Sequence, residues 1–151
     1  MSEYEFTVSL RIRHPAVDPA TITAALGIEP QHAWRAGHPR CDPAGAEIGG
    51  AHYDSYWMAR LMDEPQLSSE SVSVEGVILK ILANLRRAQS FLEQLHAEGG
   101  VAELHVSLYA RGAFRIELPA DSLALLARLH LAVALDVHPN SPVAASVSRA
   151  N

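Results

Sequence analysis

Apolar and polar residues alternate without a break from Tyr4 to Arg13: Tyr4, Phe6, Val8, Leu10 and Ile12 are separated by Glu5, Thr7, Ser9 and Arg11. Side chains of a strand point to opposite faces in turn, so this run predicts a strand with one face in the core and one toward solvent. Asp18-Pro19 then opens a short helix. Asp18 can cap its free amides, Pro19 suits the first helical position, Ile22, Ala25 and Leu26 share a face, and Gly27 supplies a left-handed stop. Over residues 29–52 the periodicity fails among prolines and glycines, which predicts a long irregular surface segment, either functional or mobile. Strand character returns at residues 53–60. A helical region follows, with Val74, Ile78, Ile81, Leu85, Leu92 and Leu95 at helical spacing, and Gly99-Gly100 ends it. Residues 103–109 and 114–118 alternate on either side of Gly112 and predict a hairpin. A short helix over 119–130 and a last strand carrying Val133, Leu135 and Val137 complete the pattern, while residues 140–151 lack one and predict a loose tail.

The resulting order is β-α-loop-β-α-β-β-α-β. Strands with one polar face predict an α+β fold: a two-layer sandwich of a mainly antiparallel sheet with helices on one face. Residues 1–139 read as a single domain. A weak likeness between Leu10 to Gly27 and Phe114 to Leu131, each a strand feeding a helix, makes a pseudo-duplicated ferredoxin-like arrangement one form of that sandwich.

Composition narrows the classes of function. The chain has 151 residues, 12 Lys+Arg against 17 Asp+Glu and a formal net charge of −5. An acid excess spread over both halves argues against a nucleic-acid binder, which carries a basic patch and a high pI. Lys80 is the sole lysine, so the arginines reflect composition as much as any need for phosphate binding. Cys41 is the only cysteine, which excludes an internal disulfide framework and a multi-thiolate zinc site. The acidic start runs directly into a strand and no apolar run approaches the roughly 20 residues that span a bilayer, so the expectation is a cytoplasmic protein without membrane contact.

Leu26-Gly27-Ile28-Glu29-Pro30, followed by Trp34-Arg35-Ala36-Gly37, resembles a bacterial family of small proteins, the domain-of-unknown-function 4279 family. The opening strand, the Asp18-Pro19 helix start, the Tyr56-Trp57 strand and the long helix ending at Gly99 share in the resemblance, which covers about Tyr4 to Asp136. It implies an α+β fold and no established activity, and it brings no catalytic residues and no cofactor.

Two regions carry candidate chemistry. In the irregular segment, Trp34 and Arg35 beside Gly37 could stack on a ligand and grip a carboxylate or phosphate. The plainer reading is that Trp34 plugs the open end of the core and Arg35 pairs with a carboxylate such as Asp54. Tyr53 and Trp57 would join Trp34 and Arg35 in a pocket between this loop and the sheet. His32, His38, Cys41 and His52 offer metal-ligand donors, although their spacing matches no compact zinc motif and no metal is expected. The second region is the outward face of the strands. Arg11, Arg13, Tyr109 and Arg115 would form its cationic and aromatic part, facing an acidic protein or a small acid.

No nucleophile elbow, phosphate-cradling loop or paired acid and base stands out. The leading expectation is therefore a noncatalytic binding module, with an immunity or antitoxin-like protein that masks a protein partner as its concrete form. A small-molecule-binding or enzymatic domain, using the pocket between residues 29–52 and the sheet, is the alternative.

Overall fold

The computed structural model describes residues 3–139. Strand β1, Tyr4–His14, has the predicted alternation, and its inward side chains from Tyr4 to Ile12 are at most 4% exposed. Helix α1, Pro19–Leu26, begins where Asp18 accepts from the Ala20 amide at 3.0 Å and ends at Gly27 with φ +68°. After β2, His32–Trp34, come β3, Pro39–Cys41, β4, Glu47–Ala51, and β5, Ser55–Arg60. A two-residue strand, β6, Leu67–Ser68, precedes α2, Val74–Leu85, which a 3-10 turn joins to α3, Gln89–Ala97. The chain closes with β7, Val101–Ala110, α4, Ala120–Arg128, and β8, Leu131–His138.

The main sheet has the order β2-β5-β1-β7-β8, with β6 pairing β1 beyond the end of β5. Every pairing is antiparallel except β7 with β8, which α4 connects as a crossover. All the helices lie on the face that carries Phe6, Leu10, Trp57, Leu104 and Leu108, and the core is the layer between. This is the expected α+β two-layer sandwich, mainly antiparallel, with helices on one face. Trp57 sits at its centre, fully buried, and its indole N–H donates to Thr23 of α1 at 3.0 Å. Such a donor taken out of water needs a partner, and Thr23 supplies it. No helix among the described residues is long and apolar enough to cross a membrane.

Two expectations change. Residues 111–119 form no strand: both edges of β7 are already paired, by β1 and β8, so the sheet offers this segment no ladder beside β7. Phe114, Ile116 and Leu118 pack against the core instead, with the Phe114 ring 5.0 Å from that of Tyr4. The proposed internal repeat loses its second strand with them. The two connections also differ, since α1 leads from β1 to β2, which lies beyond β5 in the sheet, whereas α4 joins β7 to its parallel neighbour β8. The segment 29–52, expected to be irregular, contains β2 on the sheet edge and a separate hairpin of β3 and β4. These strands are too short to show a period. The loose tail expected at 140–151 lies outside the described residues.

Three buried polar groups fasten the ends of β1 and β5 to the segments that pass beside them. The His14 ring accepts at Nδ1 from the amides of Ala16 and Val17, which leaves Nε2 as the proton-bearing nitrogen toward Glu98 at 3.0 Å. The Ser55 hydroxyl donates to the Val17 carbonyl at 2.6 Å and accepts from the Ala36 amide. The Tyr4 hydroxyl accepts from the Val74 amide at the start of α2. Close to His14, Gly100 leaves α3 under the Leu95 carbonyl, where an added Cβ would lie 2.7 Å from that oxygen and 3.0 Å from the His14 ring. Gly100→Ala is expected to cost about 1–3 kcal/mol in urea unfolding through overpacking. Gly112→Ala, whose Cβ would meet nothing within 4 Å, should stay within about 0.5 kcal/mol of wild type.

Candidate functional site

Among the described residues nothing covers the face of the sheet opposite the helices, and register places its side chains in rows. Trp34, Tyr56, Arg13 and Val101 form one row across β2, β5, β1 and β7. His32, Met58, Arg11, Glu103 and Ala132 form the next, and Arg60, Ser9, His105 and Ala134 the third. Thr7, Ser107 and Asp136 follow, then Glu5, Tyr109 and His138. On β1, β5 and β7 these residues alternate with core positions, so the pleat that buries one set presents the other.

At one end the row becomes a stack. The Trp34 indole lies 4.6 Å from the His52 ring at 11° and 4.5 Å from the Tyr56 ring at 28°. The Arg13 guanidinium carbon sits 4.7 Å from the Tyr56 centroid, and Nη1 reaches Asp54 at 3.5 Å. A cation over an aromatic face is held by the ring's negative quadrupole, so Arg13 fixes Tyr56 while remaining half-exposed. His52 is brought to Trp34 by the neck of the hairpin, where Gly37 donates to the His52 carbonyl and His52 to the His38 carbonyl, each at 2.9 Å. Gly37 takes φ +82° there, a left-handed turn that favours glycine.

At the other end, His105 and Asp136 meet at 2.5 Å, and the Tyr109 and His138 rings stack at 4.9 Å. The hydrogen bond from His105, and after it the charge of that ring, hold the Asp136 carboxyl below its ordinary range. His138 and Arg11 act in the same direction. Ser107 stands beside His105 and opposite Asp136, which completes the residue types of a serine nucleophile set. No hydrogen bond joins Ser107 to His105 among the described residues. Both backbone edges of β7 are also consumed by its neighbours, so no pair of amides is free to hold an oxyanion.

The uncovered face brings together Arg11, Arg13, Tyr109 and Trp34 from the sequence-predicted set. Five others go elsewhere. Trp57 points to the core and is fully buried, because it occupies the opposite strand parity from Tyr56. Trp34 does not plug the core, and Arg35 pairs with Asp18 at the start of α1, at 3.4 Å, rather than with Asp54. Gly37 makes the turn, and Tyr53, 97% exposed, lines a separate open depression with Arg13, His14 and Val101 rather than one with Trp34. Arg115 lies in the unpaired 111–119 segment, 2.8 Å from Glu117, and never joins the sheet. The pocket of Trp34, Arg35, Tyr53 and Trp57 thus does not assemble, since its members fall on both sides of the sheet.

His32 lies on the sheet face beside Met58, His52 is in the aromatic stack, and Cys41 is exposed on the hairpin. Among the described residues no three His, Cys, Asp or Glu side chains come together as a metal-binding group. Sequence reasoning missed Tyr56, Met58, Arg60 and the role of His52. Parity along Ser55 to Arg60 separates Tyr56 from Trp57 and would have exposed the first three, whereas the approach of His52 to Trp34 depends on a turn between distant residues.

The chain belongs to the domain-of-unknown-function family DUF4279, whose profile matches residues 3–140. No curated protein and no solved structure matches it.

The low-lying carboxyl of Asp136 sets a pH dependence. Its ionised form is favoured in the fold, so its contribution is full above the ordinary value of 3.8 and is lost as pH falls through the lower folded value. Thermal melts of wild type and Asp136→Asn are expected to differ at pH 6, with wild type the more stable, and to converge below that range. Because Asp136 is exposed, added salt should narrow the gap. A gap that persists unchanged into strong acid would contradict the pair.

Proposed function

We propose that this family member is a noncatalytic binding module, a single cytoplasmic domain that uses the uncovered sheet face to hold a protein partner. The observation that supports this reading is the segregation of the two layers. Every helix packs on one face, and the other presents aromatic, cationic and histidine side chains across five strands. Small-ligand sites are concave and enclose most of their ligand, whereas depressions on this face are shallow and open. A broad, shallow surface with rigid aromatics fits a protein.

An immunity or antitoxin-like role is the concrete form of this proposal. The net charge of −5 would steer a basic partner, and Glu5, Glu103, Asp54 and Asp136 place acids around the arginines of the face. Nucleic acid is a poor fit, because those carboxylates would repel phosphates along much of the surface.

The test is affinity purification from the native host with three versions of the chain. Arg13→Glu with Tyr109→Ala alters the uncovered face, and Leu79→Ser with Leu123→Ser alters exposed positions of the helical layer. A protein recovered with wild type should stay with the helix-layer version and fall about tenfold or more with the face version, a loss of ~1.4 kcal/mol or greater. Recovery that ignores the face version, or depends on the helical layer, would remove the proposal. A toxin gene directly upstream would support the immunity form.

A further inference from the structure

Midway along the uncovered face, the sheet dishes into an open depression of about 320 Å³ across β5, β1 and β7. Arg11 and Arg60 line it with His32 and His105, and no carboxylate is among the lining residues. Hydroxyls of Thr7, Ser9 and Ser107 complete its floor. The acids of this face stand outside it: Glu103 is the cross-strand neighbour of Arg11, and Asp136 is engaged with His105.

Arg11 is the informative residue. Its side chain is half-buried, its Nε is buried without a hydrogen-bond partner, and its guanidinium forms no ion pair among the described residues, with Glu103 or any other acid. Arg13, one pleat away, has both an aromatic ring and a carboxylate, and Arg35 and Arg115 each have a carboxylate. A buried donor atom without a partner is costly, and a guanidinium with no carboxylate at ion-pair distance keeps its charge available to a ligand. Arg60 brings a second cation to the same depression, with one Nη2 contact already given to the Pro65 carbonyl at 2.8 Å.

We infer that this depression is an oxyanion subsite, in which Arg11 takes a carboxylate through its planar fork and Arg60 supplies the second positive charge. A guanidinium matches a carboxylate or phosphate in geometry as well as charge, and the neighbouring hydroxyls and the His32 imidazole can supply further donors. The inference rests on the reading of this face as a protein-binding surface and deepens it: the group delivered is the carboxylate of an acidic side chain on the partner. The ring of acids outside the depression then favours a partner that is basic around one acidic anchor.

The test is an amide-resonance titration of the full chain, labelled with nitrogen-15, at constant ionic strength. The two probes are a triglutamate peptide and inorganic phosphate. Resonances of Ser9, Arg11, His32 and Ser107 are expected to move along saturable curves. Arg11→Gln should weaken the peptide about tenfold, and Arg35→Gln, with its arginine on another surface, should change nothing. If Arg11→Gln perturbs the fold, Arg60→Gln on the exposed rim is the second variant and should weaken the peptide at least twofold. Non-saturating shifts, or variants at both Arg11 and Arg60 that titrate as wild type, overturn the subsite. Saturation by phosphate without the peptide keeps the subsite and removes the protein partner as its source. Failure of both probes removes the subsite alone, and the affinity purification still decides the reading of the face.

Discussion

Strand β1 is the member on which the remaining architecture depends. It is paired along its length by β7 on one edge, and on the other by β5 and, past the end of β5, by β6. Its parity is therefore imposed on three neighbours. A slip of one residue would turn Phe6, Val8, Leu10 and Ile12 to solvent and drive Arg11 and Arg13 into the core, so the hydrophobic layer itself enforces the register. The same enforcement aligns the outward residues of β5 and β7 with those of β1, and the rows on the uncovered face exist because the core is packed. Assembly of this surface requires no separate device.

The ends of the sheet receive different treatment from its middle. Near His14 the chain uses directional bonds, with one ring accepting two amides and facing Glu98, the Ser55 hydroxyl bridging α1's approach and the segment after β2, and Gly100 passing under the Leu95 carbonyl. Apolar contact alone tolerates sliding, whereas a satisfied buried hydroxyl or imidazole fixes position. That fixes the base from which β2 and the hairpin depart, and through them the placement of Trp34 and His52. The hairpin itself is different. All residues of β3 and β4 are exposed, and two strands without a core are marginal in isolation, so its shape relies on Asp42, which accepts from the amides of Ala44 and Ala46, and on its neck at Gly37.

Legibility in the sequence followed the length of the repeating pattern. Strand β1, the Asp18 cap, the Gly27 stop and the long helical region are carried by many residues that agree, and each is found where the pattern predicts it. Residues 111–119 misled because Phe114, Ile116 and Leu118 alternate for burial beneath the core's edge, and alternation does not reveal whether a ladder has room. Strands β2, β3 and β4 were hidden for the opposite reason, since three to five residues cannot show a period. The candidate surface was half visible. Arg11, Arg13 and Tyr109 follow from parity, but the unpaired state of Arg11 does not. Glu103 lies directly opposite it on β7, and only side-chain geometry shows that no ion pair joins the two among the described residues.

The two tryptophans divide between the two faces of the sheet. Trp57 is sealed beneath the helices and bonded to Thr23, and Trp34 lies half-buried against an imidazole and a phenol on the uncovered side. The protein therefore carries two intrinsic fluorophores in unlike surroundings. Emission from Trp57 belongs to an apolar, dry environment and changes only when the layers separate. Emission from Trp34 is open to the stacked His52 ring and to any molecule that covers the stack. One spectrum can thus report unfolding and occupancy of the face as separate optical events, without a label on either.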